Sequence, residues 1–302
     1  VVVLGLVAGQ ALETWIGWKL IGKSFSPGVP SSWDGSSMRR MLFAGAPIGV
    51  AAILQALNLR LDILTLSPFA SNHDLGTYQA AAWFPVGAFL LVSLLMATLF
   101  PKLARVLRVP GKPVSGYVAS LLKIGVLVMT LVAVLAELLA PYLLRALFGA
   151  GLGATSYTLR FLVVAFPFIF VNTAMFYVFV AAHQRRAYLT ALLLGLVAGG
   201  TLSIFLSAKY GPNGTAVAYV LREVFISAVY LGFLKAGDLA PSARTALRFL
   251  ACCAAGLMIL DFLLSNSIAF GAAWSVALVA GIAISMRGPR LRDLLWLVDD
   301  NL

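Results

Sequence analysis

The chain has 302 residues, 61% hydrophobic and 11% charged, with a mean hydropathy of +0.97. That apolar share is far above, and the charged share far below, those of a soluble domain, so a polytopic membrane protein is expected and a soluble enzyme is excluded. The formal charge of +11 does not call for nucleic acid, because Lys and Arg accumulate in the cytoplasmic loops of membrane proteins.

In chain order, apolar runs and their breakers predict about nine spanning segments, near 1–21, 42–66, 78–100, 117–139, 159–182, 187–208, 213–235, 246–264 and 267–286. The opening VVVLGLVAGQALETWIGWKLIGK has no initiator Met, basic leader or cleavage site and reads as a fragment that begins inside a helix. Lys and Arg concentrate in alternate connections: Lys19 to Arg40, Lys102 to Lys112, Arg185 with Arg186, Lys235 to Arg248, and the tail from Arg287. This alternation places those connections and the C-terminus in the cytoplasm and Val1 outside. Residues 141–153 read as an amphipathic LLRALF stretch and a Gly-rich turn at the outer interface, and 287–302 as an amphipathic tail on the inner leaflet. Pro47, Pro85 and Pro167 predict kinks or broken hydrogen-bond ladders.

The second segment carries the densest chemistry. Gln55, Asn58 and Asp62 recur at i, i+3 and i+7 and share one helix stripe. Arg60 lies about 200° around the helix from Asn58 and Asp62 and cannot pair with Asp62 on its own helix. Charges at this depth are costly and mark cavity-lining or ligand-binding positions; the plainer reading has Arg60 snorkelling to the interface. Arg222 and Glu223 stand mid-span in the seventh segment. Neighbouring side chains diverge by about 100°, so they are expected to face different elements as a buried structural pair completed by other helices.

Cys252 and Cys253 are adjacent in an apolar run, a spacing that suits neither an ordinary disulfide nor a closed metal site. No HExxH, GxSxG or Walker-type loop occurs, so no catalytic residue, metal or cofactor is expected, and transport would draw on an ion or substrate gradient or the membrane potential. Asn213-Gly214-Thr215 fits a glycosylation acceptor, although a turn there needs Asn and Gly anyway.

RRMLFAGAPIGVAAILQALNLRLDILTLSPFASNHDLGTYQAAAWFP resembles the start of the second lobe in polysaccharide-exporting flippases, the Wzx-type branch of the multidrug/oligosaccharidyl-lipid/polysaccharide superfamily. The matching features are a basic residue and Pro47 opening the helix, Asp62 before Ile63-Leu64, and Gly76 and Tyr78 before Ala80 and Ala81. YGPNGTAVAYVLRE is similar to the pattern entering that family's twelfth helix. The resemblance implies the last helix of a first lobe at 1–22, a cytoplasmic inter-lobe loop at 23–41, a complete six-helix second lobe at 42–236, two further helices at 237–286, and the cytoplasmic tail at 287–302.

It further implies an inner-membrane, non-enzymatic flippase that moves a polyprenyl-diphosphate-linked saccharide by alternating access, in contact with membrane lipid and polysaccharide polymerase or export machinery. Arg60 and Arg222 are then candidates for the diphosphate, with Gln55, Asn58 and Asp62 for sugar hydroxyls or a coupling ion (H+ or Na+), and Glu223 in the same cavity. The alternatives are a multidrug or organic-cation antiporter of the same superfamily, a membrane-embedded polyprenyl-sugar enzyme, and a noncatalytic subunit of an envelope assembly.

Overall fold

The computed structural model describes residues 35–108, 114–148 and 155–235, with a few helical positions between 11 and 19. The expected helices at 246–264 and 267–286, the tail and the cysteine pair lie outside the described residues. All described elements are helical: α1 (Gly35–Leu66), α2 (Asn72–Arg108), α3 (Val114–Phe148), α4 (Thr155–Val163), α5 (Phe166–Ala181) and α6 (Arg185–Lys235). Their length and apolarity make this a multi-pass membrane protein. Contacts divide the chain into Val1–Ala46 and Pro47–Leu302, and the helical bundle belongs to the second of these units.

Helix ends follow local chemistry. Ser71 caps α2: its hydroxyl accepts the Asp74 N–H at 3.2 Å and donates to Asp74 Oδ2 at 2.8 Å. The α2 and α3 helices, at 37 and 35 residues, run roughly 50 Å or more, well beyond a 30 Å hydrocarbon core. In particular α3 continues through position 141 to Phe148, so LLRALF forms the last turns of the same helix.

The fifth expected span is broken. Val164 and Ala165 donate to the carbonyls of Phe161 and Leu162, and α5 restarts with Pro167 in its first turn, where a missing N–H costs nothing. Almost every α5 side chain is buried, so it forms the centre of the bundle and packs on α2, α3 and α6. The Phe170 ring lies so close over Gly125 of α3 that a Cβ there has no room. After α5 the chain turns through a Schellman motif: Gln184 N–H reaches Phe179 O at 2.9 Å and His183 N–H reaches Val180 O at 3.1 Å. His183 takes the left-handed position, φ 57°, that glycine usually fills.

The sixth element is two helices folded into a hairpin at Gly211 (φ 58°, ψ −139°). Ser207 and Thr215 hydroxyls meet at 2.7 Å, although eight residues of straight helix span about 12 Å. Gly195 faces Ile226, and Gly199 faces Arg222, so the two halves run antiparallel. Among the described residues five stretches are long and apolar enough to cross a membrane, the last of them folded into two halves at Gly211. Asn213 and Thr215 are structural here: Asn213 Oδ1 accepts the Thr158 hydroxyl at 3.0 Å, and Thr215 is fully buried.

Three substitutions test this packing. A Cβ at Gly214 would collide with the Leu206 carbonyl, a backbone atom that cannot swing away, so Gly214→Ala lowers stability by about 1–3 kcal/mol. Gly76, with open space around its Cβ position, tolerates alanine. His183→Gly raises stability by about 1 kcal/mol by relieving the left-handed conformation. Thermal unfolding of the purified protein in detergent measures all three.

Candidate functional site

Polar side chains from three helices converge on one cavity whose wall is otherwise largely apolar. From α1 come Gln55 and Asn58; from α5, Asn172, Thr173 and Tyr177; from the second half of α6, Tyr219, Arg222, Glu223 and Tyr230. Each stripe repeats at three and four residues, which brings one face of each helix to the centre.

The ion pair is internal to α6. Arg222 Nη2 donates to Glu223 Oε1 at 2.9 Å, while Arg222 Nη1 donates to the Asn58 carbonyl at 2.7 Å across the gap to α1. Glu223 Oε2 accepts from Asn172 Nδ2 at 2.8 Å, the same amide nitrogen reaches the Glu223 carbonyl at 3.0 Å, and the Ser227 hydroxyl donates to Asn172 Oδ1 at 2.7 Å. The Arg222 guanidinium also lies over the Tyr219 ring, 4.5 Å from its centroid. The two side chains thus leave the helix toward different neighbours, α1 and α5, and still meet at their tips.

Room for this arrangement comes from glycine. Cδ and Cγ of Arg222 lie against Gly199 on the facing half of the hairpin, where any Cβ would displace them. Desolvating two charges is repaid only when geometry is good and remaining donors and acceptors are satisfied. Both Glu223 oxygens and both terminal nitrogens of Arg222 meet that condition. Arg222 Nε and Asn58 Oδ1 do not, and are buried without a hydrogen-bond partner.

A second cluster secures the end of α1. Asp62, 4% exposed, accepts the Tyr78 hydroxyl of α2 at 2.8 Å on Oδ2, and its Oδ1 has no partner. One turn on, Thr65 meets Ser203 of α6 hydroxyl to hydroxyl. Asn58 Nδ2 donates to its own helix at Leu54 O (2.9 Å) and to Leu192 O of α6 (3.2 Å). The backbone of α1 approaches the other helices least closely, and these side-chain hydrogen bonds tie it to the bundle alongside the buried Ala51 and Leu66.

Of the residues singled out from sequence, Gln55, Asn58, Arg222 and Glu223 line the cavity. Asp62 is buried beside Tyr78, outside the lining. Arg60 is exposed on the opposite face of α1, its guanidinium 5.9 Å from the centroid of Trp83. Sequence reading missed Asn172, Ser227 and the Tyr219 and Tyr230 rings. An amide alone in the run PFIFVNTAMF was the available signal for Asn172, since an unpaired amide inside an apolar span is costly. The cavity measures about 100 Å³, below the roughly 300–1,000 Å³ of pockets that engulf drug-sized ligands. It has room for waters, an ion or one small polar group, not for a lipid-linked sugar. Among the described residues no cluster of His, Cys, Asp and Glu could hold a metal ion.

No family model and no curated protein matches the sequence. Among solved structures the fold is similar to that of the lipid II flippase MurJ in its inward closed conformation, with a TM-score of 0.57 at 16% identity over 88% of this chain. The chain spans 57% of that flippase's length.

The network predicts a non-additive mutant cycle. Arg222→Met or Glu223→Gln alone strands a buried partner and costs about 3–5 kcal/mol. The double variant costs clearly less than the sum, because neither charge is left alone. Thermal unfolding of the four proteins in one detergent measures the coupling; strict additivity would show that the pair contributes nothing jointly.

Proposed function

We propose that the chain is part of a flippase that carries a polyprenyl-diphosphate-linked saccharide from the inner to the outer leaflet by alternating access. The observation that carries this reading is the fold shared with the lipid II flippase over most of the chain. The motifs around Asp62 and Tyr78 and around Tyr210 and Arg222 favour a polysaccharide-exporting member.

In this reading residues 42–236 are one six-helix lobe, preceded by the last helix of a first lobe and followed by two additional helices. The basic connections face the cytoplasm of an inner-membrane protein. The lipid chain stays in the bilayer while the diphosphate crosses against fixed guanidinium charge, because bare transfer of such a head through hydrocarbon is prohibitive. Asn58, Asn172, Arg222 and Glu223 tie the helices of the lobe together, and Gln55 lines the same cavity. Asn58 Oδ1 and Asp62 Oδ1, buried acceptors without a donor, are the positions offered to a coupling H+ or Na+. Polymerase and export machinery would take the product on the outer side.

The test is genetic. The gene encoding this chain, expressed with its own saccharide pathway in a strain lacking a polysaccharide flippase, restores surface polysaccharide. At matched membrane levels, Arg60→Ala accumulates lipid-linked precursor inside. Good expression without rescue by the wild type would refute the assignment, and rescue by Arg60→Ala would refute that site.

A further inference from the structure

Arg60 and Arg222 are not equivalent. Arg222 has its charge matched by Glu223 and both terminal nitrogens engaged. Arg60 makes no hydrogen bond or ion pair to another described residue, and its guanidinium lies over the Trp83 ring, 5.9 Å from the centroid. It is also the only charged side chain left exposed within 47–66 of α1 and 75–101 of α2.

The surroundings of Arg60 are apolar and open. Leu57 and Leu64 flank it at i−3 and i+4 on α1, and Leu90 and Leu94 continue the Trp83 stripe at i+7 and i+11 on α2; all four are exposed. A guanidinium with all its N–H groups free, set into an apolar strip, complements an anionic head on a long hydrocarbon chain. An indole ring within cation–π range attracts the guanidinium without occupying its N–H edge, as a carboxylate partner would.

We propose that Trp83 is a positioning residue that orients Arg60 for the phosphates of a polyprenyl diphosphate, whose chain lies along the leucine strip of α1 and α2. The inference rests on the flippase reading and adds to it which arginine meets the phosphate and what holds it there. Both side chains are exposed, so their replacement leaves the packed core intact.

The test is binding, independent of transport. The full-length protein in phosphatidylcholine nanodiscs is titrated with undecaprenyl diphosphate, and the bound fraction is read by native mass spectrometry. Binding saturates in the wild type, weakens roughly ten-fold in Arg60→Gln and about five-fold in Trp83→Leu, and is retained in Trp83→Phe, which keeps an aromatic face. Wild-type affinity in Arg60→Gln, or equal loss in Trp83→Leu and Trp83→Phe, overturns the proposal. Displacement of the probe by phosphatidylglycerol at equal concentration also overturns it, since Arg60 would then be a general headgroup anchor. If this pattern holds while the genetic rescue fails, the phosphate seat stands and the flippase reading falls.

Discussion

The structure depends on the burial of one arginine. Arg222 sits in a membrane span where a free guanidinium would be prohibitive, and its neutralisation draws three helices together: Asn58 from α1, Asn172 from α5 through Glu223, and the α6 hairpin that carries the pair. In lipid, helices gain little from hiding apolar surface against one another, so hydrogen bonds and close packing decide which neighbours they keep. That is why α1, whose backbone stays furthest from the bundle, is tied at Asn58, Asp62 and Thr65, one contact per turn or so along a single stripe.

Close packing supplies the complementary half. Gly195, Gly199 and Gly214 line the inner face of the hairpin, and each leaves space taken by something specific: Ile226, the stem of Arg222, and the Leu206 carbonyl. Small residues let two helix backbones approach until longer side chains from one lie flat on the other. Without Gly199 the Arg222 stem would be pushed from the facing helix, and its reach to the Asn58 carbonyl would be lost. Glycine spacing and the ion pair are therefore one device.

Much of this was legible in the sequence because it depends on local chemistry. Apolar run length located the membrane-length stretches, KYGPNG marked the hairpin turn, and Pro167 marked the break before α5. The stripe of Gln55, Asn58 and Asp62 followed from helical period alone. The rest depended on contacts that no local pattern encodes. That Asn172 would complete Glu223 requires knowing that α5 lies beside the second half of α6, and that Arg222 and Glu223 meet at their tips depends on rotamers fixed by Gly199 and Asn172. LLRALF, whose amphipathic pattern suits the outer interface, forms the last turns of the long helix α3, a continuity that the pattern alone does not encode.

Placement on α1 separates two roles that composition makes look alike. Asn58 and Asp62 face inward, each tied to a neighbouring helix by one polar side-chain atom and leaving its Oδ1 without a partner; Arg60, between them in sequence, faces away, its guanidinium 5.9 Å from the Trp83 ring centroid. The cavity of about 100 Å³ has room for waters, an ion or one small polar group, so the inward-facing stripe and the exposed guanidinium lie in different surroundings on the same helix. Since Arg60 sits two residues from Asn58 and two from Asp62 on one rigid helix, any change in how the interior grips α1 also moves the guanidinium on its outer face.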